Sequence, residues 1–172
     1  MNRREQLTLD LREDIRSAIL QLMREKPLDK ITVDELSEKA NVGRATFYRQ
    51  FHSRQEAISW KLNREWIRYA EEHQLNFEGS APADYAGGFF AFIYSLRETN
   101  ALLIKNSCKH CIFDAMRYSF ENMDSGADAK EYYHDHFRAY GLLGLVEGWI
   151  DAGYDLSIDE MADMTVEYFY RV

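Results

Sequence analysis

Cysteine and proline are scarce, with two of each in 172 residues. Two cysteines are too few for the disulfide framework of a small secreted domain. Two prolines leave long stretches in which helices can run unbroken. No stretch is long and apolar enough to span a bilayer. The start, MNRREQLTLDLREDIRSAIL, is charged throughout and lacks the apolar run of a signal peptide. Gly/Ser-rich, low-complexity and repeated segments are also missing. So are a Gly-rich phosphate loop, a nucleophile elbow and a His-Glu metal helix. These absences point to a soluble cytoplasmic protein that is not an enzyme and has no cofactor or resident metal.

Core-forming material, by contrast, is ample. Hydrophobic residues make up 46% of the chain and charged residues 29%, as in an ordinary globular protein of one large or two small domains. The formal net charge is -8, but it is unevenly spread: residues 1–60 carry a net +1 and residues 61–172 a net -9. The N-terminal third can therefore lie on a polyanion, which the remainder would repel.

Apolar residues recur at helical spacing along most of the chain. Leu11, Ile15, Ala18, Ile19 and Leu22 form one stripe, which Pro27 brings to an end. Thr32 with Glu35 reads as a capping box opening a short helix. Val33, Leu36 and Ala40 give that helix one apolar face, and NVG breaks it before a second short helix through RATFYRQF. Ser53 with Glu56, Asp128 with Glu131, and Ser157 with Glu160 are further capping-box candidates, and Pro82 suits the first turn of another helix. No period-two run competes, so the chain reads as all-α with eight or nine helices.

A capped short helix, a tight turn and a second short helix make a helix-turn-helix, here over about residues 32–51. Val33, Leu36, Ala40, Phe47 and Phe51 can form its shared core, with the first helix behind. Arg44, Thr46, Tyr48 and Arg49 are then left facing outward, as a helix entering a DNA major groove requires. The same geometry occurs in proteins that bind no DNA, and arginines on a short helix often only face solvent. The tyrosine hydroxyl between two guanidiniums favours phosphate contact.

The segment ITVDELSEKANVGRATFYRQFHSRQEAI resembles the DNA-binding motif of TetR/AcrR-type transcriptional regulators, and the resemblance extends over about residues 8–60. It rests on the capping Thr, the Ala-x-Val-Gly turn, the Thr-Phe-Tyr triplet, Phe51 and the Arg54–Glu56 step. The end, YGLLGLVEGWIDAGYDLSIDEMADM, resembles the last two helices of one subgroup. The resemblance implies a three-helix DNA-binding domain over residues 1–60. A C-terminal helical bundle over residues 61–172 would serve dimerisation and ligand or partner binding.

It also implies roles. Thr32 would cap the second helix and meet a phosphate. Arg44, Ala45 and Thr46 would open the recognition helix at base edges and backbone. Tyr48 would contact phosphate, Arg49 would carry specificity, and His52 would lie near the backbone. Arg54, at a position that is usually Lys, would hold a phosphate with the helix N-terminus. Gly43 departs from the pattern, since many members have Ser there as the cap.

One such domain reads only a short half-site, so a homodimer on a palindromic operator is expected. Gly141, Gly144 and Gly148 share one helix face, and each costs about 1 kcal/mol against alanine. With Leu145 and Trp149 they suggest a dimer interface; close packing within the protomer is the other reading. Of the many aromatics in the middle helices, most are core. Phe89, Phe92, Phe113, Tyr133 and Phe137 are candidates to line a pocket for a small-molecule inducer, with Gly87 and Gly88 leaving room. Cys108, His110 and Cys111 in CKHC suggest redox or metal chemistry, but a structural zinc site wants four ligands, and buried inert thiols fit better. The expected protein is a homodimeric repressor released from DNA by a ligand; the alternative is a regulator or activator controlled by a protein partner.

Overall fold

Helix α1, Arg3–Glu25, turns the predicted stripe inward, with Ile15, Ala18, Ile19 and Leu22 all buried. Pro27 ends it, and the chain makes one 3-10 turn at Leu28–Lys30. Two short helices follow, α2 at Val33–Lys39 and α3 at Arg44–Gln50, then the long α4 at Arg54–Glu72. Beyond these lie α5 at Pro82–Ser95, α6 at Arg97–Lys105, α7 at His110–Glu121, α8 at Ala129–Asp151 and α9 at Ile158–Tyr170. The computed structural model describes residues 3–76, 79–121 and 129–170, and no strand occurs among them. The protein is all-α.

The chain folds as two compact units. One comprises Met1–Leu62 with Ala101–Ala115, and the other Asn63–Asn100 with Met116–Val172. In the first, Leu36 of α2, Ala40 at its C-cap, and Phe47 and Phe51 around α3 are buried with the α1 stripe. Val33 is half-buried at the edge. Burying each Phe stabilises the unit by about 1.5–3 kcal/mol. Ala57, Ile58 and Leu62 of α4 and Leu103, Cys108, Cys111 and Ile112 complete this core.

The second unit is built around aromatic rings. Phe89 and Phe92 of α5 lie 5.3 Å from Trp66, and Phe90 meets Trp149 edge-on at 5.5 Å. Helix α5 packs along α9. Between α8 and α9, Gly153 and Tyr154 both take positive φ, at 75° and 62°. That conformation strains a tyrosine. It is held by Tyr154 N–H donating to Trp149 O at 2.8 Å and by Asn100 Nδ2 donating to the Tyr154 hydroxyl at 3.1 Å. Trp149 Nε1 in turn donates to Leu156 O at 2.9 Å.

The caps explain where the helices start. Thr32 and Glu35 form the full reciprocal box. Ser157 and Glu160 do the same ahead of α9, with Ser157 N–H donating to Glu160 Oε2 at 2.8 Å and Glu160 N–H to Ser157 Oγ at 3.2 Å. The expected Ser53–Glu56 box is only half made. Ser53 Oγ accepts from Glu56 N–H at 3.0 Å, but the Glu56 carboxylate takes the N–H of His52, one residue earlier, at 2.7 Å. Asp128, of the expected Asp128–Glu131 pair, falls outside the described residues.

Candidate nucleic-acid interface

The turn between α2 and α3 sets how the recognition helix leaves the core. It is a Schellman motif. Val42 N–H donates to Ser37 O at 2.9 Å, and Asn41 N–H to Glu38 O at 3.0 Å. The left-handed residue is Asn41, with φ 53°. Gly43, the glycine that the sequence puts in the turn, has φ -77° and ψ 150° instead and serves as the N-cap of α3 without a side-chain bond. Asn is one of the few residues other than glycine that tolerate the left-handed region, which leaves Gly43 free for the cap.

Helix α3 then buries Phe47 and presents Arg44, Ala45, Tyr48 and Arg49 to solvent, with Thr46 half-exposed. Tyr48 stands edge-on to Phe47 at 5.4 Å, so the buried ring supports the exposed one. Behind the helix, Arg12 Nε donates to Gln50 Oε1 at 2.9 Å, and its guanidinium lies 5.4 Å from Phe51 and 5.2 Å from Trp60. These contacts fix the back of α3 against α1.

The cations on this face differ in what they touch. Arg44 Nε lies 3.0 Å from Asp34 Oδ1, and its Nη1 donates to Asp34 Oδ2 at 3.3 Å. His52 Nδ1 lies 3.0 Å from Glu56 Oε2. Arg54 is half-buried, and its Nη1 donates to Leu28 O at 2.7 Å and also to Ile31 O. Arg54 thus ties the first turn of α4 to the connection between α1 and α2, a task that the family likeness did not suggest. The Arg49 side chain has no ion pair or hydrogen bond among the described residues.

The entry to α2 is tightly held. Lys26 Nζ bonds the Glu35 carboxylate. Glu35 also takes the Thr32 N–H at 2.9 Å and its hydroxyl at 3.0 Å. Lys26 first, and then the two Thr32 bonds, hold the Glu35 carboxyl down at about 2. Leu28 N–H donates to Asn106 Oδ1 at 2.8 Å. Asn106 and Asp34 were not singled out in the sequence. Asn106 lies 78 positions from its partner, and no local pattern links them. Asp34 precedes Arg44 by ten residues on the other helix of the pair, and its opposite charge was the available signal.

The remaining candidates lie elsewhere. Gly141 packs against Phe169: a Cβ there would sit 2.6 Å from the ring. Among the described residues, nothing lies within 4 Å of a Cβ at Gly144 or Gly148. Leu145 is half-buried and Trp149 is core. Phe89 and Phe92 share the ring cluster around Trp66, while Tyr133 and Phe137 stand 71% and 67% exposed on α8, outside that cluster. Phe113 belongs to the first unit, where Lys109 Nζ lies 5.8 Å from its ring. The space beside Gly88 is filled by the Leu75 side chain, which a Cβ there would overlap, whereas a Cβ at Gly87 would meet none of the described residues.

Cys108 and Cys111 are free and buried. Burial pushes both thiols up, Cys111 to about 12. Among the described residues no group of three or more His, Cys, Asp or Glu could hold a metal ion. No described helix is long and apolar enough to cross a membrane.

This geometry coincides with what known families show. Residues 15–56 match the family described as bacterial regulatory proteins, tetR family. Residues 89–171 match the family described as a transcriptional regulator C-terminal region. Together the two matches span more than two thirds of the chain. The chain belongs to the TetR family of transcriptional regulators, and its helix-turn-helix is the DNA-binding element of that family. No curated protein matches the chain.

Proposed function

We propose that the protein is a homodimeric repressor that binds a palindromic operator through residues 1–60 and dimerises through residues 61–172. The observation that carries the DNA-binding part is α3. Its buried Phe47 anchors a short helix whose outer face is Arg44, Ala45, Thr46, Tyr48 and Arg49. In this reading Tyr48, Thr32 and His52 contact phosphates, and Arg44 and Arg49 reach base edges. Arg54 adds a phosphate contact through guanidinium nitrogens other than Nη1, which already serves two carbonyls.

The dimer reading draws on α8. Tyr133, Phe137, Tyr140, Gly144 and Gly148 follow one another at three- and four-residue steps and are all exposed. An aromatic stripe running into two open glycines suits close approach of a second copy across a two-fold axis. Release from DNA is assigned to a small apolar or aromatic molecule that prefers a dimer whose half-site spacing misfits the operator. The half-buried rings of Trp66, Tyr69 and Tyr85, gathered about Phe89 and Phe92, favour such a ligand over a polar one.

The test compares variants on a selected operator. Tyr48→Phe and Arg54→Ala should each weaken binding about equally on all sequences, while Arg49→Ala should change which bases are preferred. Loss of base preference in the first two, with none in Arg49→Ala, contradicts the assignment. Light scattering of Gly144→Leu tests the dimer; an unchanged dimer mass sinks the α8 interface.

A further inference from the structure

Arg44 is the first residue of α3, and the N-terminal residues of a recognition helix are the ones that contact base edges. A free arginine there would sample many rotamers and settle on the nearest phosphate, since phosphates are the strongest attractors on DNA. Arg44 is not free. Asp34, in the first turn of α2, pairs with it: Nη1 donates to Oδ2 at 3.3 Å, and Nε lies 3.0 Å from Oδ1 within the same ion pair.

We infer that Asp34 is a specificity-determining residue, which orients the Arg44 guanidinium to read a base edge and opposes its capture by phosphate. The inference rests on the DNA-binding reading of α3. Three features carry it. The pair spans the two helices of the helix-turn-helix, so it orients Arg44 relative to both helices rather than to its own alone. It leaves Nη2 unengaged by Asp34, and this nitrogen can donate to acceptors such as the O6 and N7 of a guanine. The Asp34 carboxylate also carries a negative charge on the face that meets DNA, so any pose that brings phosphate against it is penalised. Arg49, about one and a half turns along the same helix, has no such tether among the described residues.

As an exposed ion pair, with the two side chains 62% and 65% exposed, it contributes little to folding. Its effect should appear when DNA excludes water from the pair. Asp34 could instead serve only the α2 helix dipole, and a specificity measurement separates the two roles.

The experiment uses the full chain. DNA selected from a random pool defines the wild-type preference, and the same selection is repeated with Asp34→Ala, Arg44→Ala and the double variant. Asp34→Ala should flatten the preference at one base pair in each half-site by roughly tenfold. It should also tighten binding to unrelated DNA and steepen the salt slope by about one. On the Arg44→Ala background, Asp34→Ala should leave the remaining base preferences unchanged. The inference is overturned if Asp34→Ala lowers thermal stability but keeps the wild-type preference. It is likewise overturned if the preference changes by the same factor with and without Arg44. A wild-type chain that selects no sequence removes the DNA-binding reading itself, and the inference falls with it.

Discussion

Two exposed helix faces in this protein have opposite chemistry. The outer face of α3 carries Arg44, Tyr48 and Arg49, with neighbouring polar groups held in pairs. The outer face of α8 carries Tyr133, Phe137 and Tyr140, followed by Gly144 and Gly148, where a Cβ would meet none of the described residues within 4 Å. A polyanion suits the first and a protein surface the second. The charge split agrees, because the net -9 lies in residues 61–172. The difference teaches that exposure alone identifies neither surface; what is exposed, and whether it is already partnered, separates them.

The largest effect comes from removing what supports α3. Phe47→Ala leaves a cavity in a core residue that is 1% exposed and should destabilise the first unit by about 3–5 kcal/mol. DNA binding should be lost while the dimer, followed by light scattering, persists. Loss of both together would mean that the two faces are not separable. The converse variant is Phe137→Arg. Its side chain is 67% exposed, so the fold should survive and the dimer should weaken by about 2 kcal/mol or more, some thirtyfold in Kd. Sedimentation at several concentrations would measure this, and an unchanged Kd would remove α8 from the interface.

The glycines give a finer split. Gly141→Ala forces the Phe169 ring to move and should cost about 1–3 kcal/mol in urea denaturation. Gly144→Ala meets nothing among the described residues and should raise intrinsic helix stability by up to about 1 kcal/mol while weakening the dimer. Equal effects at both positions would mean that the stripe has a single role.

Acid distinguishes the entry of α2. The Glu35 carboxyl sits below its ordinary value of 4.5, at about 2, because of Lys26 and Thr32. Its contribution is therefore fully present above pH 4.5 and is lost as the pH falls toward 2. Glu35→Gln should flatten the fall in urea midpoint across that window, and an identical pH profile would contradict the assignment. The smallest expected change is at Gly43, whose Cβ would meet only Thr46 Oγ1, at 4.0 Å. Gly43→Ser should add a cap worth a few tenths of a kcal/mol, read as a small rise in Tm, and supply a further hydroxyl to DNA. A fall in Tm would mean that the cap conformation rejects a side chain.

Local signals made most of the fold legible from residues alone. The α1 stripe, Pro27, the boxes at Thr32 and Ser157, and Pro82 at the start of α5 all act within one turn of where they stand. The outward residues of α3 followed from the spacing of Leu36, Ala40, Phe47 and Phe51. Pairings across the chain were not legible. Arg54 bonding Leu28 and Ile31, Asn106 bonding Leu28, and Phe169 filling the space beside Gly141 depend on which elements meet. The turn was read in outline: NVG marked it and Gly43 holds the cap position, while the left-handed conformation of Asn41 had no expectation attached to it.

The central claim is that α3 of each copy in a two-fold dimer reads half of one DNA site. Selection of bound DNA from a random pool by the full chain, repeated across salt concentrations, tests it most directly. The account predicts an enriched palindrome with half-sites about one helical turn apart, or a multiple of it, and an affinity that falls steeply with salt. Recovery of no palindrome, or a salt slope near zero, would contradict it.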